Sequence, residues 1–238
     1  MTCAKTLKKK LEVFLPVYTY FPLAAVICTN MLAYFATRPF TQGWAHYDLS
    51  LPVDGVLPFV PAFSVIYLLA YIQWIVGYIL IARESRELCY RVLSGEIIAK
   101  LTCMALFLAL PTAMIRPEIT SHDVFSKITG YIYQFDAADN LFPSIHCLES
   151  WICFRGALRI KKVGRWYRWV TLGFTLLVFA SVVLIKQHLV VDIIAGVAVC
   201  ELGQFLAQKT DSARIFRRIE ACFRKKETDL ERFHEEIC

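Results

Sequence analysis

The sequence predicts an all-α polytopic membrane protein, a bundle of six transmembrane helices with both termini cytoplasmic. Three observations predict it. Of the 238 residues, 57% are hydrophobic and 19% charged, with mean hydropathy +0.50, against about 45–50% apolar and about 25% charged in ordinary soluble domains. The apolar residues fall in uncharged runs long enough to cross a bilayer, and the basic residues collect at the ends of those runs. A net charge of +6 alone would admit a nucleic-acid or anionic-membrane partner. Bases placed at the flanks of apolar runs argue for cytoplasmic membrane flanks and against a nucleic-acid groove.

Residues 13–37 and residues 55–82 carry no charge, and each run exceeds the roughly 20 residues that a transmembrane helix needs. Lys8, Lys9 and Lys10 ahead of the first run could suggest a cleaved leader, but the run is too long and no small-residue cleavage site follows, so it reads as a retained span. A third span covers Ile97 to Ile115, with Lys100 near one end, where its long side chain can reach the headgroups. A fourth, at 141–158, is mostly apolar but holds His146, Glu149 and Arg155.

From Trp166 to Gln208 the apolar character is almost continuous, and one helix of that length would reach roughly 65 Å across a hydrocarbon core of about 30 Å. The chain must therefore turn at Lys186, Gln187 and His188, ending a fifth span that runs from Trp166 to Ile185. A sixth then carries Asp192 into the membrane. With the N-terminus inside, 22 of the 26 Lys and Arg fall on the inside, and only Arg38, Arg116, Lys127 and Lys186 fall outside, the asymmetry of cytoplasmic loops.

In the tail, 209–238, Ile215, Phe216, Ile219, Cys222 and Phe223 recur at helical spacing among Arg and Lys. That pattern fits an amphipathic helix on the inner leaflet or a solvated charged helix. No repeat or linker divides the chain, so residues 1–238 read as one domain. Nine cysteines, several inside apolar runs, show no zinc or disulfide spacing. The sequence carries no Asn-x-Ser/Thr site and no address signal, which makes the cell membrane the expected location. It leaves the oligomeric state open.

Ionisable groups at membrane depth are costly unless paired or facing a polar cavity, so they are the candidates for function. Arg116 ends span three, His146 opens span four, and Lys186, His188 and Asp192 straddle the turn between spans five and six, all on the outer face. His188 and Asp192 are four apart, which on a helix places them about 40° apart and one turn apart in height. The carboxylate can hold one imidazole nitrogen and leave the other free to act as a nucleophile or base; taken alone, the pair also fits a structural ion pair. Phe142-Pro143-Ser144-Ile145-His146 begins span four with a hydroxyl cap, and a helix N-terminus offers amide donors to a phosphate. Together these residues suit a phosphate ester: cations bind its oxygens, one histidine attacks, the other protonates the leaving group. Glu149, one turn below His146, fits two readings, a carboxylate that keeps that histidine protonated or a salt bridge to Arg155.

Arg116-Pro117, Pro143-Ser144-Ile145-His146 and His188-Leu189-Val190-Val191-Asp192 resemble the three signature blocks of the type 2 phosphatidic acid phosphatase superfamily. The stretch from Asp136 to His146 looks more like the branch that includes the inositol phosphorylceramide synthases, where Phe-Pro-Ser-x-His replaces Pro-Ser-Gly-His. The resemblance implies that His188 is the nucleophile of a phosphohistidine intermediate, Asp192 its orienting partner and His146 the general acid. It also implies that Arg116 and Ser144 bind the phosphate, with no metal and no cofactor. Two cations of the family pattern are missing, since Ala109 stands where a Lys is usual and Val182 where an Arg is usual. Lys186 is the candidate substitute, a flexible point charge rather than a bidentate fork.

The function expected is a metal-independent membrane lipid phosphatase. Its partner would be a lipid phosphate or diphosphate (a phosphatidate, phosphatidylglycerophosphate or polyprenyl diphosphate) presented among membrane lipids on the extracytoplasmic side. The alternative is a phosphotransferase moving a phospho-headgroup onto an alcohol. A transporter would call for repeat symmetry or broken helices at the midplane, and an inactive relative for the loss of His146, His188 or Asp192.

Overall fold

A computed structural model describes residues 14–224; both chain termini, expected to be cytoplasmic, lie outside the described residues. α1 (Tyr20–Met31) continues through a π-helical turn (Leu32–Ala36) into a last turn at Arg38–Thr41. The short α2 (Pro52–Val56) leads to α3 (Ser64–Glu84) and α4 (Arg86–Ala109), then α5 (Val124–Phe135) and α6 (Ile145–Ala157). α7 (Trp166–Leu184), α8 (Val190–Thr210) and a helix over 213–224, α9, complete the order.

Five segments are long and apolar enough to cross a membrane: Val17–Thr41, Pro61–Glu84, Arg86–Ala109, Trp166–Leu184 and Val190–Thr210. Their polarity is inverted relative to a soluble domain. Large apolar side chains such as Ile72, Ile75, Val170, Ile194 and Phe205 are exposed at the periphery, while Glu96, Lys100, Gln187 and Asp192 are buried inside. The protein is a multi-pass membrane protein.

The sixth expected span is the correction. Residues 141–158 form only the 13-residue α6, roughly 20 Å long at 1.5 Å per residue, short of the ~30 Å hydrocarbon core. The segment nonetheless runs the length of the bundle. At one end the Ser144 amide donates to the Asp192 carbonyl at 3.1 Å, and at the other Lys162 donates to the Arg83 carbonyl at 2.6 Å. α6 packs against α3, α7 and α8, with Leu148 and Ile152 fully buried. A helix covered by protein needs no lipid-facing apolar stripe, which is why it tolerates His146, Glu149 and Arg155.

Local chemistry sets the breaks. Ser85 separates α3 from α4 in one residue, its hydroxyl accepting the Leu88 amide at 3.1 Å as an N-cap. Asp123 caps α5 through the Phe125 and Ser126 amides; its hydrogen bonds from Ser126 and Ser121 hold its carboxyl well below the usual carboxylate range. Lys186 takes a left-handed conformation, φ 52°, at the tight turn from α7 to α8. α4 and α8 meet closely at glycines: a Cβ on Gly203 would lie 2.4 Å from the Gly95 carbonyl oxygen, the small-residue contact that lets membrane helices approach.

Lys100 does not reach the headgroups as expected. It is buried, with its ammonium 2.7 Å from Glu96 and 2.5 Å from Glu149. Two carboxylates inside the bundle hold it more firmly than a distant interface can. Neither sequence reading of Glu149 anticipated this partner, and Arg155 pairs instead with Glu201 at 2.9 Å. The described part of the tail, α9, packs on the bundle: Phe216 joins Val26, Tyr90 and Leu93 in a buried cluster, while Arg217 pairs with Glu87 and Arg86 with Glu220.

Candidate active site

Residues of α1, α3, α6 and the turn ahead of α8 line the cavity that contains His188. Its Nδ1 lies 3.1 Å from the Leu141 carbonyl oxygen and 3.3 Å from Asp192 Oδ2. A carbonyl only accepts, so Nδ1 carries the hydrogen and Nε2 keeps its lone pair in the neutral ring. Asp192 is fully buried, and its Oδ2 also accepts the Leu189 amide at 2.8 Å. The carboxylate thus closes the start of α8 and holds the histidine, which sits in the turn ahead of that helix rather than on it as the spacing reading expected.

His146 stands across from it, with the two ring centroids 5.7 Å apart. The His146 ring packs on Tyr67 at 4.5 Å and Trp74 at 5.5 Å, and its Nε2 is buried without a partner. Both histidines line one cavity of about 270 Å³, together with Asp136, Asp139, Glu149 and the aromatic rings of Tyr34, Tyr71 and Trp74. That cavity brings together the two histidines that the sequence offers as candidates, and it is rich in carboxylates.

The expected phosphate ligands are more dispersed. Ser144 is fully buried, its hydroxyl accepting the Cys147 amide at 3.3 Å as the cap of α6; it lines neither this cavity nor the next. Arg116 donates to the Asp136 carbonyl at 2.7 Å and to the Gln187 side-chain oxygen, and its guanidinium covers the Tyr133 ring at 4.4 Å. The Arg116 Nε is buried without a partner. Lys186 donates to the carbonyls of Asp54 at 3.0 Å and Leu57 at 2.8 Å. Arg116, Lys186 and His188 line a second, more basic cavity of about 570 Å³. His188 is therefore the wall between an acidic, aromatic chamber and a basic one.

Asp136 lines the chamber but is absent from the site that the sequence predicts. Its carboxylate accepts hydrogen bonds from Tyr34 at 2.5 Å and from Tyr67, whose ring packs on His146. Burial would raise this carboxyl, but proximity to His146 and the two tyrosine hydrogen bonds outweigh it, leaving it below the ordinary carboxylate value. Its place at the head of the Asp136 to His146 stretch was a signal, whereas two tyrosines in uncharged spans gave none. Arg38, counted only as an outside base, closes the same chamber by pairing with Asp139 at 3.0 Å. Among the described residues, no group of three or more His, Cys, Asp or Glu is placed to hold a metal ion.

The helical bundle thus gathers two histidines, one of them held by a buried aspartate, around one cavity. Residues 43–206, more than half of the chain, match the PAP2 superfamily, and the chain belongs to that superfamily. Its function is accordingly of the lipid phosphatase or phosphotransferase type. No curated protein and no solved structure matches it.

Proposed function

We propose that this protein is a metal-independent lipid phosphate phosphatase that works through a phosphohistidine on His188. The observation that carries the reading is the hydrogen-bonded state of that ring: Nδ1 is occupied by Leu141 and Asp192, so Nε2 is the nucleophilic atom, and His146 shares its cavity. Nε2 forms a bond to phosphorus as the bond to the leaving oxygen breaks, and protonated His146 gives that oxygen its proton. Water then attacks the phosphohistidine while His146 takes the water's proton, releasing phosphate and restoring both rings. Asp192 stabilises the charge that develops on His188. Arg116, whose Nε has no partner, and Lys186, whose ammonium has three donors and donates to two carbonyls, supply the positive field for the phosphate oxygens.

The site end of the bundle lies opposite the end that carries Arg83, Lys161 and Lys162. The positive-inside asymmetry then supports an extracytoplasmic site, with the segment 144–162 serving as the sixth crossing. A second reading is favoured by the chamber itself. Asp136, Asp139 and Glu149 accept hydrogen bonds from hydroxyls and repel a free phosphate, which suits a polyhydroxylic acceptor and a phosphotransferase related to the inositol phosphorylceramide synthases. Purified protein given a labelled lipid phosphate, with and without inositol, separates the two. Stoichiometric inorganic phosphate in every condition supports the phosphatase, and label passing into a new lipid at its expense supports the transferase.

A further inference from the structure

α1 and its continuation to Thr41 precede residues 43–206, the part of the chain that matches the superfamily, yet they build one wall of the chamber that holds both histidines. Asn30, Met31, Tyr34 and Phe35 all line it. Three contacts tie the site end of α1 to the loop that leads into α6. The Tyr34 hydroxyl donates to Asp136 Oδ1 at 2.5 Å, Arg38 pairs with Asp139 at 3.0 Å, and the Asn140 side-chain amide donates to the Thr37 hydroxyl at 3.1 Å. The Arg38 guanidinium also covers the Tyr34 ring at 5.2 Å. The π-helical turn at Leu32–Ala36 falls at this height, and such single wide turns are frequent at functional positions.

Below this clasp α1 packs on α4, with Val26 in one cluster with Tyr90 and Leu93. The chamber opens between α1 and α3. Among the described residues that line it, those exposed are Met31 and Phe35 of α1, Tyr71 of α3 and Phe135 at the end of α5. Met31 and Tyr71, each 46% exposed, stand near the middle of the spans Val17–Thr41 and Pro61–Glu84, at the depth of the hydrocarbon core. Leu32 and Ile72 beside them are exposed as well. The mouth of the chamber thus faces lipid chains, and its sides are rigid aromatic pairs, Tyr34 with Phe35 and Tyr71 with Trp74.

The chamber measures about 270 Å³, below the ~300–1,000 Å³ of pockets that enclose a drug-sized ligand. It has room for the alcohol carbons next to a phosphate and none for a lipid chain. With His188 as nucleophile and His146 as acid, the phosphate oxygens face Arg116 and Lys186, and the leaving oxygen enters this chamber. The chain attached to that oxygen has to pass the mouth. We infer that α1 is the specificity element of the enzyme: the alkyl or prenyl chain of a primary leaving alcohol crosses the mouth between Met31, Phe35 and Tyr71 and continues into the bilayer. Arg38 is a positioning residue, which sets the width of the mouth by fastening α1 to Asp139. A single flexible chain passes, whereas an alcohol branched at its first carbon meets the aromatic walls. This rests on the proposed roles of His188 and His146.

The test has two arms on the purified protein. In the first, a long-chain alkyl phosphonate, which cannot be cleaved, carries a diazirine a few carbons from phosphorus. Illumination should label Met31, Phe35 or Tyr71, and orthovanadate, which takes the place of the phosphonate, should suppress the label. In the second arm, kcat/KM is compared for decyl phosphate, for decan-2-yl phosphate, branched at its first carbon, and for nitrophenyl phosphate, which has no chain. Met31→Trp narrows the mouth and should lower the decyl value about tenfold more than the nitrophenyl value, the lower end of the ~10–200-fold that one methylene commands in an apolar pocket. Arg38→Ala should lower the preference for decyl over decan-2-yl phosphate by a similar factor, and Arg38→Lys should restore part of it.

Label that is absent, insensitive to orthovanadate or confined to other elements would overturn the inference, as would a decyl-to-nitrophenyl ratio unchanged by Met31→Trp. An unchanged preference in Arg38→Ala would overturn the role of Arg38. If wild-type protein forms no phosphohistidine from nitrophenyl phosphate, the parent reading fails separately, because the phosphonate arm reads where the chain lies whatever the nucleophile.

Discussion

At the residue scale the account rests on which nitrogen of His188 is free. Asp192 and Leu141 both take Nδ1, so His188→Ala should abolish turnover of every substrate. Asp192→Asn should preserve binding while lowering kcat, since an amide can no longer stabilise the charge on the ring; kcat and KM measured separately check this. Asp136 makes a prediction of a different kind. Its carboxyl is depressed in the folded protein, so the stability it contributes is fully present above its ordinary value near ~3.9 and is lost as pH falls through its lower folded value. In Asp136→Asn the melting temperature of detergent-solubilised protein should fall at neutral pH and lose part of its drop on acidification; a pH profile identical to the wild type would contradict it. The pairing of His188 with Asp192 was legible in sequence because only four positions separate them. The partners of Asp136 were not, since Tyr34 and Tyr67 lie 102 and 69 positions away and only folding brings them together.

At the element scale the positions of the two histidines depend on how α8 packs on α6 and α4. A Cβ added at Gly196 would lie 2.5 Å from the Ser144 carbonyl oxygen, and one at Gly203 would lie 2.4 Å from that of Gly95. Backbone cannot yield as a flexible side chain does, so each Gly→Ala change should cost about 1–3 kcal/mol as overpacking. Gly196→Ala displaces the start of α6, which carries His146, so it should lower kcat beyond its effect on stability. Gly203→Ala sits lower in the bundle and should lower the melting temperature with a smaller loss of kcat in the folded fraction; equal losses in both would show that the α6 contact is not special. The uncharged runs revealed the long helices in the sequence because lipid-facing segments must be apolar. Hydropathy misjudged α6 and Lys100 for a common reason: protein surrounds them, and it satisfies polar groups that lipid would reject.

At the scale of the whole molecule, the bundle separates a site end from a basic end, and the positive-inside asymmetry orients them. In a background lacking the exposed Cys28 and Cys222, a membrane-impermeant thiol reagent on intact cells should label Lys127→Cys and spare Lys161→Cys. The reverse pattern would move the site to the cytoplasm. The membership of residues 43–206 in the PAP2 superfamily fixes the broad class of chemistry, and the chamber around His146 and His188 is where we propose that it takes place. The most direct measurement of the central claim is a rapid acid-free quench of the purified protein with a phosphorus-labelled aryl phosphate, followed by mapping of the labelled peptide. The account predicts base-stable, acid-labile label on His188 that accumulates in His146→Ala and is absent in His188→Ala. Turnover by His188→Ala, or label on any other residue at stoichiometric yield, would contradict it.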